Sequence, residues 1–146
     1  MPKNNYTSGN PNTKSDFYIE FTPAKSGGIK IGIESLNKVL HGAKLEFTSL
    51  QTITDLNIKH GKLLVIDNGG QYFVLQARIE SAIKSANPKM NLESLGDFKQ
   101  HALYKTDRER FRRSRLYLPG NQAKLMLNAG IHKPDAIILD LEDSVA

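Results

Sequence analysis

Three carboxylates near the end of the chain have the spacing that most directly suggests chemistry. Asp140, Glu142 and Asp143 follow the apolar run AIIL at residues 136–139, which shows no alternation. Such a run is typical of a parallel strand that is buried on both faces. In βα architectures the reacting groups lie at the carboxyl ends of the strands. The acids therefore suggest a metal or a polarised substrate. The alternative is that they cap a helix or face water.

The elements that must position these acids are predicted to be a strand, a turn, a helix and a second strand. A short apolar run at residues 116–118 is ended by Pro119 and Gly120, which favour a turn. Asn121 can cap the helix that follows, and Gly130 can close it. Residues 112–146 are thus predicted to form a βαβ unit.

Two strings in this segment carry a resemblance to a known family. RRSRLYLPGN at 112–121 and DAIILDLEDSVA at 135–146 resemble the opening of the citrate lyase beta-chain family. Those proteins are similar to malyl-CoA lyases and are TIM barrels that cleave carbon–carbon bonds in acyl thioesters with Mg²⁺. The resemblance implies that the three acids lie beside the metal and the thioester, and that the direct metal ligands come from later strands. A closed barrel needs eight strands, so we expect a truncated barrel fragment, an incomplete catalytic site and no metal site.

The first part of the chain is predicted to contain two strand pairs, each followed by a helix. Residues 17–21 and 29–33 are predicted to form a hairpin. Ser35 can cap a helix that runs to about Asn57. The apolar stripe of this helix, at steps of three and four, comprises Leu36, Val39, Leu40, Ala43, Phe47, Leu50 and Ile53.

The second strand pair is predicted around a tight turn. Residues 63–66 and 72–76 would be the strands, with DNGG at 67–70 as the turn between them. A second helix at 77–86 would end before Pro88. We therefore predict an α+β fold, in which a ββαββα two-layer domain precedes the βαβ fragment of a TIM barrel.

This block resembles a second family. VIDNGG at 65–70 and ARIESAI at 77–83 are similar to the acyl carrier (gamma) subunit of citrate lyase. The resemblance implies that a serine near the N-terminus bears a phosphoribosyl-dephospho-CoA arm, whose thiol holds the acyl group. Ser15, directly before Asp16, fits that position. The family pattern has two serines before the Asp, and Lys14 replaces the first. Either Ser15 carries the arm or the site is lost, with Ser8 and Thr13 as weaker candidates.

Composition and charge limit the function classes. The sequence predicts a flexible segment at 1–15, a carrier-like domain at 16–87, a basic linker at 88–111 and the barrel fragment at 112–146. The net charge of +5 resides in the stretch from Lys99 to Arg115, which has seven basic and two acidic residues. With little aromatic interleaving, a solvated linker helix is favoured over nucleic-acid binding. A third interpretation is that these bases dock a phosphorylated arm.

The remaining composition is that of a soluble globular protein. The chain has no Cys, so it has no disulfide and no thiolate metal site. It has no secretory signal and no apolar run of the ~20 residues that cross a bilayer. We expect a cytoplasmic protein that binds neither a membrane nor nucleic acid.

The function predicted from both resemblances is that of an acyl carrier in a citrate-lyase-like complex. The carrier would hold an acetyl or citryl thioester for cleavage to oxaloacetate and acetyl thioester. Its partners in a hetero-oligomer would be citrate lyase alpha and beta chains, and this chain alone would not be catalytic. The alternative, which Lys14 favours, is a degenerate carrier-like domain that recruits or tethers a lyase barrel and bears no prosthetic group.

Overall fold

The computed structural model describes residues 5–96, 105–143 and 145. The chain divides into two compact units, residues 1–97 and 98–146. The first unit is of the α+β class, as predicted. Its elements are β1 (Tyr6–Ser8), β2 (Phe17–Pro23), β3 (Ile29–Ser35), α1 (Lys38–Asp55), β4 (Gly61–Asp67) and α2 (Tyr72–Ala86).

The four strands form one sheet in the order β1-β2-β4-β3. β2 runs antiparallel to both β1 and β4, and β3 runs parallel to β4. The predicted hairpin between β2 and β3 is therefore wrong, because β4 lies between them. The run LLVI in β4 is apolar on both faces, which suits a central strand better than an edge strand.

The core lies between the sheet and the two helices. Alternate residues of β2 and β4 point to the helices, because the side-chain period of a strand is two residues. The buried apolar residues are Phe17, Ile19, Phe21, Leu45, Ile53, Leu56, Leu63, Val65, Leu75, Ile79, Ala82 and Ile83.

The predicted fourth strand of the first unit, at 72–76, is wrong. Helix α2 begins at Tyr72, and Gly69 has the positive φ that the turn prediction required. The turn chemistry was thus identified correctly, but the turn connects a strand to a helix. Leu75, Ile79 and Ile83 recur at helical spacing and are buried. Their burial on one face of α2 explains why this apolar run folds as a helix.

The predicted apolar stripe of α1 is also wrong, except at Ile53. Leu36, Val39, Leu40, Phe47 and Leu50 are exposed, while the buried positions of the helix are Leu45, Thr48, Ser49, Thr52 and Ile53. The hydroxyl of Thr52 donates to the carbonyl of Thr48 at 2.8 Å. A hydroxyl satisfied by its own helix can be buried at little cost, and hydropathy does not count it as a core residue.

Part of the segment predicted to be flexible is a strand. β1 pairs with β2 in the register Tyr6↔Phe21, and Ser8 is buried. The side chain of Asn5 also hydrogen-bonds to Glu20 and Thr22 of β2. The prediction missed β1 because this short strand is held by its pairing with β2 and not by its own apolar content.

The second unit has the predicted βαβ order. β5 (Arg115–Pro119) and β6 (Ala136–Asp140) are parallel, and α3 (Ala123–Asn128) and a 3₁₀ turn (Ala129–His132) connect them. Residues 105–114 contain a turn and no helix, so the predicted linker helix is wrong for this part of the basic segment. Lys99 lies outside the described residues. In the part of the chain that the structure describes, no helix is long and apolar enough to span a membrane.

Candidate functional site

Ser15 lies in the segment that joins β1 to β2 and is partly exposed. Its φ of 56° lies in the left-handed region, which is costly for a residue other than glycine. Its hydroxyl forms no hydrogen bond with the described residues. The structure thus presents a partly accessible nucleophile on a strained backbone, a combination that is common at functional sites.

Asn68 fixes this segment against the end of β4. The backbone N–H of Ser15 donates to the carbonyl of Asn68 at 2.8 Å, and the N–H of Asn68 donates to the carbonyl of Asp16 at 3.1 Å. The side-chain amide of Asn68 donates to the carbonyl of Pro11 at 2.8 Å. Ser15 therefore lies on an ordered support, contrary to the predicted flexible tail.

Asp16 is held by an arginine of α2. Arg78 donates from Nε to Oδ1 at 3.0 Å and from its terminal nitrogen to Oδ2 at 2.7 Å. Oδ1 also accepts the N–H of Phe17 at 2.8 Å. Sequence reasoning missed this role of Arg78, although the ARIESAI string that contains it was singled out. The available signal was Arg78 within that string and the acid Asp16 directly after Ser15.

Two glycines allow the backbone to approach this segment closely. A Cβ on Gly70 would lie 2.5 Å from the ring of Phe17. A Cβ on Gly9, whose φ is +89°, would collide with the carbonyl of Phe17. Both positions therefore require glycine for the observed packing around Asp16 and Phe17.

The other hydroxyls near the N-terminus differ in accessibility. Ser8 is buried in β1, where a bulky phosphodiester has no room. Thr13 is exposed in a turn closed by its N–H and the carbonyl of Asn10. Lys14 is exposed and lines an open cavity of about 280 Å³, whose walls include Ser35 and Asp67. Of the three candidate hydroxyls, those of Ser15 and Thr13 can be reached from solvent.

The ARIESAI string contains a second anchor, Glu80. Its carboxylate accepts the ammonium of Lys84 at 2.7 Å and the backbone N–H of Ser94 at 2.8 Å. Burial raises the pKa of Glu80, but the hydrogen bonds from Lys84, Ser94 and Leu95 outweigh it, and the pKa falls below its ordinary value. Glu80 thus fastens residues 94 and 95 to α2.

The three acids of the second unit follow β6, as predicted. Asp140 ends the strand opposite Pro119, and its carboxylate accepts the N–H of Glu142 at 2.9 Å. Glu142 and Asp143 are exposed. Among the described residues, no group of three His, Cys, Asp or Glu side chains has a geometry that could hold a metal ion. The structure therefore places the acids at the strand's carboxyl end without bringing them together as ligands.

Asp135 joins the two segments of the second unit that carry the family resemblance, residues 112–121 and 135–146. Its carboxylate accepts the backbone N–H groups of Arg113 at 3.0 Å and Ser114 at 3.1 Å. The guanidinium groups of Arg113 and Arg110 lie 3.3 and 3.6 Å away. The hydrogen bond from Arg113 outweighs desolvation and lowers the pKa of Asp135. These arginines therefore have structural partners in their own unit.

Arg112 is used structurally as well. Its guanidinium donates at 2.9 Å to the carbonyls of both Arg108 and Arg110. It therefore closes the turn that precedes β5. The docking of a phosphorylated arm on the basic segment stays a prediction. Arg110, Arg112 and Arg113 already bind groups of their own unit, so fewer arginines are available to the arm than the sequence suggested.

Comparisons with known proteins identify the first unit. Residues 8–86 match the family model described as an acyl carrier protein, malonate decarboxylase delta subunit. The citrate lyase acyl carrier protein of Fusobacterium nucleatum is 38% identical over 72 residues, which are 49% of this chain and 77% of that protein. That of Klebsiella pneumoniae is 32% identical over 79 residues, 54% of this chain and 81% of that protein.

The second unit has a shorter match. The citrate lyase subunit beta of Haemophilus influenzae is 51% identical over 37 residues, which are 25% of this chain and 13% of that protein. This match hints at a fused beta-subunit fragment but covers little of the beta subunit. The family match over residues 8–86 and the two carrier relatives confirm the predicted resemblance to acyl carrier proteins, and the chain belongs to the malonate decarboxylase delta subunit family of acyl carrier proteins.

Proposed function

We propose that this chain is the acyl carrier component of a citrate-lyase-like complex and that Ser15 is the attachment site of its prosthetic arm. The observation that carries the proposal is the partly exposed Ser15 on an ordered segment, directly before the anchored Asp16, in a chain of a carrier family. A carrier must expose its attachment hydroxyl while the supporting domain stays folded.

The residues around Ser15 fit a phosphoribosyl-dephospho-CoA arm. The arm requires an accessible hydroxyl and open space for the phosphodiester. The carboxylate of Asp16 is paired with Arg78, while Lys14 lies beside the open cavity and offers a positive charge to the phosphodiester. When attached, the arm supplies a thiol that holds an acetyl or citryl group as a thioester. Lys14 in place of the family's first serine is therefore compatible with attachment at Ser15.

We further propose that the second unit is the start of a lyase barrel. Asp140, Glu142 and Asp143 would lie near the Mg²⁺ and thioester of a complete barrel, and the partners would be citrate lyase alpha and beta chains. Because six strands of such a barrel are outside these residues, the purified chain with Mg²⁺ and a citryl thioester should release no oxaloacetate. Turnover above the uncatalysed rate would contradict this assignment.

Mass spectrometry of the protein purified from its native cell tests the attachment site. Trypsin cleaves after Lys14, so Ser8 and Thr13 fall on one peptide (4–14) and Ser15 falls on the next (15–25). We expect a CoA-like adduct on the second peptide, unchanged in Thr13→Ala and absent in Ser15→Ala. An adduct on the first peptide that is absent in Thr13→Ala would move the site to Thr13.

The degenerate carrier remains the second candidate function because Lys14 departs from the family pattern. In that case the chain would tether a lyase barrel without a prosthetic group. An unmodified Ser15 peptide, from cells whose citrate lyase is active, would favour this candidate over the acyl carrier.

A further inference from the structure

We propose that Arg78 is a positioning residue for the modification of Ser15 and acts through Asp16. The pair holds Ser15 in the left-handed backbone conformation in which its hydroxyl is presented to a modifying enzyme. This inference rests on the proposed function, because it concerns the same attachment site. It adds a residue 62 positions away in sequence from Asp16, on a different element.

The position of Arg78 is fixed by the packing of α2. Its neighbours Leu75 and Ile79 on the helix are fully buried in the core. The guanidinium fork binds both carboxylate oxygens of Asp16, and only 12% of the Asp16 side chain is exposed. Two parallel hydrogen bonds restrict the direction of the carboxylate more than a single ion pair does. The core of the domain thus determines where Asp16 lies.

Asp16 in turn restrains the backbone conformation of Ser15. The backbone N–H of Ser15 donates to the carbonyl of Asn68, and the backbone carbonyl of Asp16 accepts the N–H of the same Asn68. A φ of 56° is strained for serine and easily reached by glycine. Such strain persists only when the surroundings over-determine the conformation. The fork from Arg78 and the two Asn68 bonds supply that constraint.

The chemistry at Ser15 explains why orientation matters. In the modification, the hydroxyl oxygen attacks a phosphorus of a phosphoric-anhydride donor that carries the arm. A new P–O bond forms, the anhydride P–O bond breaks, and the phosphate leaving group departs with the electron pair. The hydroxyl proton passes to a base of the modifying enzyme, because the hydroxyl of Ser15 forms no hydrogen bond with Asp16, whose carboxylate is turned to Arg78 and the N–H of Phe17. Asp16 therefore orients Ser15 and does not act as its base.

The test compares variants of two ion pairs on α2 in the full chain. Arg78→Met removes the fork, and Arg78→Lys keeps the charge with a single point of contact. Lys84→Met is the matched control, since Lys84 pairs at the same 2.7 Å with Glu80, whose carboxylate anchors residues 94 and 95 rather than Asp16. Each chain is produced in the native cell, and the modified fraction of peptide 15–25 is followed soon after synthesis begins.

A second readout follows the backbone itself. The three-bond HN–Hα coupling and the Cα shift of Ser15, measured by NMR on unmodified chain, report its φ angle. If the left-handed conformer falls to about a fifth of the molecules in Arg78→Met, the initial rate of modification falls about fivefold. For Arg78→Lys, both the left-handed fraction and the initial rate of modification should lie between those of the wild type and Arg78→Met. Lys84→Met should leave both readouts unchanged even when its melting temperature falls.

The outcomes separate this inference from the proposed function. If the wild-type chain is modified and Arg78→Met is modified at the same initial rate, the role of Arg78 is overturned and Ser15 stays the attachment site. Unchanged NMR parameters at Ser15 in Arg78→Met overturn it as well. A wild-type chain with no adduct overturns the proposed function and this inference with it. If Arg78→Met does not melt cooperatively, the same readouts on Arg78→Lys decide.

Discussion

Substitution of Glu80 by Gln should destabilise the first unit. The carboxylate is the common acceptor for Lys84 at 2.7 Å, the N–H of Ser94 at 2.8 Å and the N–H of Leu95 at 3.4 Å. Its side chain is only 11% exposed. Glu80→Gln keeps the shape and one neutral acceptor but removes the charge and one carboxylate oxygen.

The expected loss follows from these contacts. A hydrogen bond to a charged group contributes about 1.5–3 kcal/mol, and a neutral one about 1 kcal/mol. The Lys84 side chain is one-third exposed, so its contribution is reduced by solvent. We therefore expect a loss of about 1–2 kcal/mol in the free energy of unfolding, mostly at the Ser94 N–H. For a domain of this size that corresponds to a melting temperature lower by about 5–10 °C.

The loss should also depend on pH in a defined direction. The pKa of Glu80 is lowered on folding, so its contribution is present above the ordinary value of 4.5 and disappears as the pH falls through the lowered folded value. Acidification should therefore reduce the difference between the wild type and Glu80→Gln. The lowered pKa predicts that most of this reduction occurs below pH 4.5.

Thermal unfolding followed by far-UV circular dichroism, near pH 7 and near pH 3, measures both effects. Glu93→Gln is the control, because Glu93 lies 3.9 Å from the same Lys84 but is 73% exposed. It should change the melting temperature by less than 1 °C or so, as surface ion pairs contribute little. An equal loss in both variants, or a Glu80→Gln loss that persists at low pH, would refute the reasoning.

Three further predictions test the core, the exposed face of α1 and the second unit. Gly70→Ala should cost about 1–3 kcal/mol in urea unfolding, because its Cβ meets the ring of Phe17 at 2.5 Å. Leu40→Gln, at a position that is 79% exposed, should change the free energy of unfolding by less than about 0.5 kcal/mol, whereas Leu45→Gln on the buried face should cost about 2–5 kcal/mol. Asp135→Asn should speed hydrogen exchange of the two backbone amides that its carboxylate binds. Unchanged exchange there would show that these bonds do not hold the start of β5.

Local signals in the sequence located most of the elements. The alternation of Ile29, Ile31 and Ile33 predicted β3, and all three side chains pack against the core. The second helix and its end at Ala86 were also predicted, although its start was placed at residue 77 instead of Tyr72. The local pattern could not predict which strand pairs with which. The insertion of β4 between β2 and β3 depends on residues that are far apart in sequence.

The strand predicted at 72–76 and the apolar stripe predicted for α1 were wrong for a common reason: a local pattern does not show which residues will be buried. The run YFVLQ at 72–76 is apolar enough for a strand or a buried helix, and its length alone does not distinguish them. In α1 and just before it, Leu36 to Leu50 carry a stripe at helical spacing, but the buried positions of the helix include Thr48, Ser49 and Thr52. Which face of a helix is buried depends on the fit to its neighbours, and small hydroxyl residues fit where leucine does not.

The candidate site was only partly predictable. Ser15 and the three acids after β6 were named from motifs, and the structure places them at a strand entry and a strand end. The left-handed φ of Ser15 and the roles of Arg78 and Asn68 were not predicted. They arise from contacts among the residues just before β2, the residue after β4 and α2, which are far apart in sequence.

The ordered support of Ser15 bears on how a carrier of this kind would work. The sequence predicted a flexible segment at residues 1–15, which could have carried an arm between partner sites. Pairing of β1 with β2 and the bonds of Asn68 restrain residues 6–8, 11 and 15 instead. Under the proposed function, the reach between sites must come from the rotatable bonds of the arm, with its origin fixed by the domain. A fixed origin raises the effective concentration of the thioester at any partner site that the arm can span, because the flexible tether then consists of the arm alone and is shorter than an arm joined to a mobile peptide.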